Sequence, residues 1–148
     1  MGKTVVPWVR QGLDEYVSRL GHYVPFEVKE IPELKGVSSL SEAQIKEKEG
    51  ALILKAAGQA DMILLDEKGV EYRSVEFAEA LRKRLAHATK DLAFVVGGAY
   101  GFSAEVYAKA SGKISLSKMT FPHQLARVLL LEQLYRACKI NAGERYHK

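Results

Sequence analysis

The residues best suited to move a proton or grip an anion stand at the end of the sequence. There Arg145-Tyr146-His147-Lys148 sets a guanidinium, a phenol, an imidazole and an ammonium on consecutive positions. Cations meet phosphates, a tyrosine ring stacks on a base, and imidazole exchanges a proton near neutral pH, so the block suits RNA. Polar chain ends also occur without any such duty, and the residue types leave both readings open. A second cluster, Gly97-Gly98-Ala99-Tyr100-Gly101, follows the apolar run 92–96 directly. Three glycines let backbone approach a ligand, and in open α/β sheets ligands gather beyond the carboxyl ends of strands. This is not the G-x-G-x-x-G fingerprint, and a plain tight turn would satisfy the same letters.

A third segment, Leu116-Ser117-Lys118-Met119-Thr120-Phe121-Pro122-His123, mixes apolar and hydrogen-bonding groups before the last long helix. One reading is a helix entry capped by Thr120. The other is a loop whose amides and carbonyls read an adenine edge, with Met119 and Phe121 in apolar contact. Other chemistry finds less support. Gly2-Lys3-Thr4 resembles the tail of a phosphate-binding loop but lacks the earlier glycine and the preceding strand. His22, His87, His123 and His147 are scattered without zinc-ligand spacing, so no metal is expected. No G-x-S-x-G elbow offers a serine nucleophile.

Alternating helices and strands must hold these segments. Residues 7–20 put Trp8, Val9, Leu13, Tyr16, Val17 and Leu20 on one face, as an amphipathic helix requires. Residues 25–31 read as a strand and residues 32–40 as a loop. Ser41 caps a helix over 42–57, with Gln44 placed to complete a capping box and Gly58 to end it. The apolar runs 62–65 and 92–96 fit strands covered on both faces. A helix over 75–87 begins after Ser74, a short one surrounds 104–110, and a brief strand covers 113–116. The last helix starts near Pro122, runs to about Ile140, and carries more apolar surface than one stripe needs, which makes a shared subunit face plausible. The expected fold is an open, mostly parallel α/β sheet with helices on both faces, in a single domain over 1–148.

Composition agrees with that class. At 148 residues, 47% hydrophobic and 27% charged, the chain has the balance of a globular domain large enough to bury a core without disulfides. No apolar run nears the roughly 20 residues that span a bilayer, and no signal peptide is recognisable, so a cytoplasmic protein is expected. The single cysteine, Cys138, lies within a helical pattern and reads as a core residue. A formal net charge of +4 suits a polyanionic partner without demanding one.

Taken together, 94–101, 115–123, Arg127, Glu132-Gln133-Leu134-Tyr135-Arg136-Ala137 and Tyr146-His147-Lys148 resemble the bacterial pseudouridine N3-methyltransferases of large-subunit ribosomal RNA, in the SPOUT superfamily. The similarity spans the chain, including Trp8 and Lys46-Glu47-Lys48-Glu49-Gly50. It implies a C-terminal trefoil knot, an exception to the rule that chains do not thread their own loops. It also implies a homodimer with shared active sites, S-adenosylmethionine as methyl donor, and the assembled ribosome as substrate. Cofactor contacts carry over to Leu65, Gly97, Leu116, Ser117, Lys118, Met119, Thr120 and Phe121. Substrate binding and proton handling carry over to His123, Arg136, Tyr146 and His147. Against that pattern Met1 stands where an apolar first strand should be ending, so that strand is expected to be missing. On this reading His147 accepts or relays the proton of N3, Arg136 stabilises an anion, and Tyr146 fixes the base. Competing expectations are a SPOUT methyltransferase of another RNA such as tRNA, a non-catalytic ribosome-binding module, and a flavodoxin-like regulatory domain.

Overall fold

The computed structural model describes residues 1–144, and the block 145–148 lies outside it. Five helices and three strands follow one another: α1 Pro7–Leu20, α2 Glu42–Ala57, β1 Asp61–Glu71, α3 Ser74–Ala86, β2 Leu92–Val96, α4 Ala104–Lys109, β3 Gly112–Ser115 and α5 His123–Asn141. A short 3-10 turn, Val37–Ser39, interrupts the loop before α2. The sheet is open and parallel, flanked by helices, with strand order β2-β1-β3. No helix among the described residues is long and apolar enough to cross a membrane.

The chain gathers into two compact units. The first comprises 1–3, 29–70 and 90–115 and holds the sheet with α2 and α4. β1 and β2 run parallel in a register that pairs Asp61 with Leu92 and Leu65 with Val96. Met62 and Leu64, on one face of β1, pack with Ile53 of α2 and with Phe102 and Val106 at the start of α4. Leu64 is completely buried, as a central strand dictates, whereas every residue of edge strand β2 is only half-buried. The Ser41 hydroxyl accepts from the Gln44 amide at 3.3 Å, and the Gln44 side chain accepts from the Ser41 amide at 2.9 Å. That reciprocal capping box fixes the start of α2 where the sequence asks for it.

The second unit comprises 4–28, 71–89 and the chain from Leu116 onward. Here α5 packs on α1 and α3. Its buried residues Ala126, Leu130, Leu131, Leu134, Ala137 and Cys138 meet those of α1 (Val9, Leu13, Leu20) and of α3 (Phe77, Ala78, Leu81). Gly12 lets α1 come close to Val128, where even a methyl group would stand 3.3 Å from the valine. Polar ties finish the bundle: Asn141 donates to the Ala78 carbonyl at 2.9 Å, and Tyr23 to Glu144 at 2.7 Å.

Four local expectations are corrected. Residues 25–31 join no strand ladder; Pro25 has no amide hydrogen, and Glu27, Val28 and Lys29 are exposed in a row, so burial does not alternate. Trp8, expected on the apolar face of α1, is 60% exposed because it lies in the first turn, one position off the buried Val9. Thr120 does not cap α5, since the N-cap position is Pro122 and no side chain bonds there. β1 runs on to Glu71, beyond the apolar run that marks its beginning.

Candidate functional site

The site begins where the sheet's strands end. Leu65 and Val96 are register partners on β1 and β2, so the glycine turn opens directly beside the end of the apolar part of β1. The turn closes on itself through a Gly98–Gly101 bridge in which the Gly101 amide donates to the Gly98 carbonyl at 3.2 Å. Two of its glycines, Gly97 and Gly98, leave little space for side chains. A methyl group at Gly97 would meet the Phe102 ring at 3.1 Å, and one at Gly98 would lie 2.4 Å from Glu49 Oε2. The turn therefore offers bare backbone, backed by side chains from neighbouring elements, which fits an adenosyl group recognised through amides and carbonyls. It ends at Ser103, whose hydroxyl accepts from the Val106 amide at 3.3 Å and starts α4.

Glu49 is a further candidate that the sequence does not single out in its own right. It lies nine-tenths buried on α2, burial pushes its carboxyl pKa up, the N-terminal ammonium opposes that rise, and Glu33 adds to it. The signal was present as a charge within the apolar row Ile45, Glu49, Ile53. A second pairing also escaped notice: the Tyr107 hydroxyl donates to Asp66, and burial together with that bond pushes the phenol up to about 12. Near it Lys68, Tyr107 and 110–113 line an open groove of about 450 Å³. No expected cofactor residue lines this groove, and Asp66 and Glu67 stand beside its lysines, so it has no clear charge preference.

In the other unit Leu116 follows the last residue of β3 and leads into the bends of 117–120. The Ser117 hydroxyl accepts from the Met119 amide at 3.0 Å and folds the loop back. Lys118, Met119 and Thr120 are exposed, with Met119 at 75%, while Leu116, Ser117 and Phe121 are half-buried. His123 opens α5, and desolvation above all, with positive charges nearby that include the Arg127 guanidinium, holds its imidazole below the ordinary range. A mostly neutral ring at pH 7 is one that can take a proton. Beside it the Gln124 side chain accepts from the amides of Val5 and Val6, both at 3.1 Å, and Arg127 donates to Thr4 Oγ1 at 2.8 Å. Arg136 is held one turn from Glu132, donating through Nε at 3.1 Å and Nη2 at 2.6 Å to a single carboxylate oxygen. Tyr146 and His147, the expected base clamp and proton acceptor, lie outside the described residues.

Comparison with known proteins bears on all of these segments. A family model described as "Predicted SPOUT methyltransferase" matches residues 1–147. A protein of Parabacteroides distasonis named "Ribosomal RNA large subunit methyltransferase H" is 53% identical, over 99% of this chain and 94% of that protein. Proteins with the same name from Cytophaga hutchinsonii and Flavobacterium johnsoniae are 47% and 48% identical, over 99% of this chain and 95% and 94% of theirs.

Proposed function

The chain belongs to the SPOUT methyltransferase family, and from that premise we propose that it methylates N3 of a pseudouridine in large-subunit ribosomal RNA with S-adenosylmethionine. The names of the relatives support the ribosomal substrate. The observation that carries the reading is the glycine turn: bare backbone beyond β2, in register with Leu65, with no room for a side chain at Gly97 or Gly98. The donor is held by backbone of Leu65, Gly97, Leu116, Ser117, Lys118, Met119, Thr120 and Phe121. Leu65 on β1 and Val96, the residue before Gly97, are register partners, which supports a shared role for Leu65 and Gly97, while the part of 116–121 rests on the family resemblance.

S-adenosylmethionine brings an already electrophilic methyl group on sulfonium sulfur. The chain's own work is then to align the base and take a proton from N3, with positioning supplying most of the acceleration. His147 accepts or relays that proton and Tyr146 holds the base, roles that rest on the family resemblance. His123, kept mostly neutral at pH 7, is the second candidate acceptor. Arg136, oriented by Glu132, faces the anion that forms on the base or a phosphate near it. The same reading includes a trefoil knot, the cytoplasm as setting, and a homodimer, for which half-buried Leu125 and Leu129 on α5 are the supporting feature.

The test supplies purified chain and methyl-labelled donor to assembled large subunits, free ribosomal RNA and tRNA, with mass spectrometry of the digested nucleosides. N3-methylpseudouridine in the large-subunit RNA is the expected product. Methyl transfer to tRNA alone, or to no RNA despite donor binding, refutes the assignment.

A further inference from the structure

Helix α2 carries a charge where its pattern calls for an apolar residue. Ile45, Glu49 and Ile53 follow at four-residue intervals on the buried face, and Glu49 is only 9% exposed. Its Oε2 has no hydrogen-bond partner among the described residues. A carboxyl group in that position is disfavoured by desolvation, so its place needs a reason other than stability. What it touches is the glycine turn. A methyl group at Gly98 would lie 2.4 Å from Oε2 and 3.0 Å from both the carboxyl carbon and Oε1. Gly50, the next residue of the helix, closes on the far end of the same turn, where a methyl group would lie 2.3 Å from Ser103 Oγ. One step of α2 therefore underlies both ends of 98–103.

We propose that Glu49 is a positioning residue for the methyl-donor site: its carboxyl group, seated on Gly98, holds the glycine turn in the shape that receives the adenosyl ligand. The inference rests on the reading of that turn as a cofactor site. A glycine turn has no side chains with which to brace itself, so its shape is set by what stands behind it. Phe102 stands behind Gly97, and Glu49 behind Gly98. Because burial favours the uncharged carboxyl group, glutamine is the conservative replacement and alanine removes the support.

Calorimetry of the full chain with S-adenosylmethionine, beside thermal melts and steady-state kinetics, tests this. Glu49→Ala should weaken donor binding about tenfold, raising KM for the donor while kcat and KM for RNA hold. Glu49→Gln should recover most of that loss. Gly98→Ala alone should also weaken binding, and combining it with Glu49→Ala should restore affinity relative to Gly98→Ala, because the new methyl group then occupies vacated space. Equal donor affinity for wild type and Glu49→Ala, or strictly additive losses in the double variant, overturns the inference alone. A wild-type chain that binds no donor overturns the cofactor reading of the turn and this inference with it. Should Glu49→Ala fail to fold, Gly98→Ala and the double variant Gly98→Ala/Glu49→Gln decide: donor affinity of Gly98→Ala equal to wild type, or a double variant whose losses strictly add, overturns the proposal, and a non-additive loss upholds it.

Discussion

Replacing Gly69 by alanine should pull β3 from the sheet. Gly69 lies on β1, and a methyl group there would stand 2.3 Å from the carbonyl carbon of Ile114, 2.6 Å from its amide nitrogen and 2.6 Å from its oxygen. All three are backbone atoms, so no rotamer change relieves the clash, and ordinary contact requires the strands to part by about 1 Å. β3 has four residues, with Ile114 and Ser115 buried, and cannot shift that far while keeping its pairing. Overpacking of this kind costs about 3 kcal/mol. For a chain of this size that lowers the melting temperature by roughly 6–12 °C. Circular dichroism melts of Gly69→Ala against wild type measure it. Since Leu116 is bonded to the last residue of β3, donor binding should fall in step with stability. A melting temperature within about 1 °C of wild type would refute the close approach of β1 to Ile114.

Three further outcomes follow from local structure. Trp8→Ala should change folding stability by less than about 0.5 kcal/mol, because Trp8 is 60% exposed; a loss in urea titrations above about 2 kcal/mol would mean the ring is buried in the protein in solution. Ser41→Ala should lose about 1 kcal/mol, and adding Gln44→Ala should lose little more, since both belong to one capping box; fully additive urea midpoints contradict that. His123, with its pKa held down chiefly by desolvation and further by positive charges that include Arg127, favours the folded state when neutral. Its contribution is complete above the unfolded histidine value and is lost as pH falls through the lower folded value, so His123→Gln should flatten the decline in stability below about pH 6.5. An NMR titration midpoint above the ordinary histidine value would reverse the sign and refute the argument.

The apolar runs 62–65 and 92–96 were legible as strands because continuous apolarity has few other uses in so short a stretch. The start of α2 was legible because Ser41 and Gln44 act within one turn. Residues 25–31 were misread because a strand exists only with a partner, and pairing is not a local property. Trp8 was misread for a related reason: periodicity gives an angular position but not where neighbouring helices end, and the first turn of α1 carries its ring into solvent. At the candidate site the glycines could be seen, but nothing local distinguished a ligand turn from a plain one. The residues of 116–123 suited an adenine-reading loop and a capped helix entry equally, and only likeness to a family favoured the first.

The glycine turn shows why its letters were ambiguous. Gly101 is there for conformation: its φ of 81° is one that side chains rarely adopt, and the space around its α-carbon is empty. Gly97 and Gly98 are there for space, because Phe102 and Glu49 already fill the positions that their side chains would take. A plain tight turn needs only the first kind of glycine. The second kind is required where other elements press closely on the backbone. A buried carboxyl oxygen is a poor choice for filler alone, since an alkyl side chain would pack there without desolvation cost. Sterically imposed glycines beside a polar support are what the proposed ligand turn calls for, and a turn that merely reverses the chain needs neither.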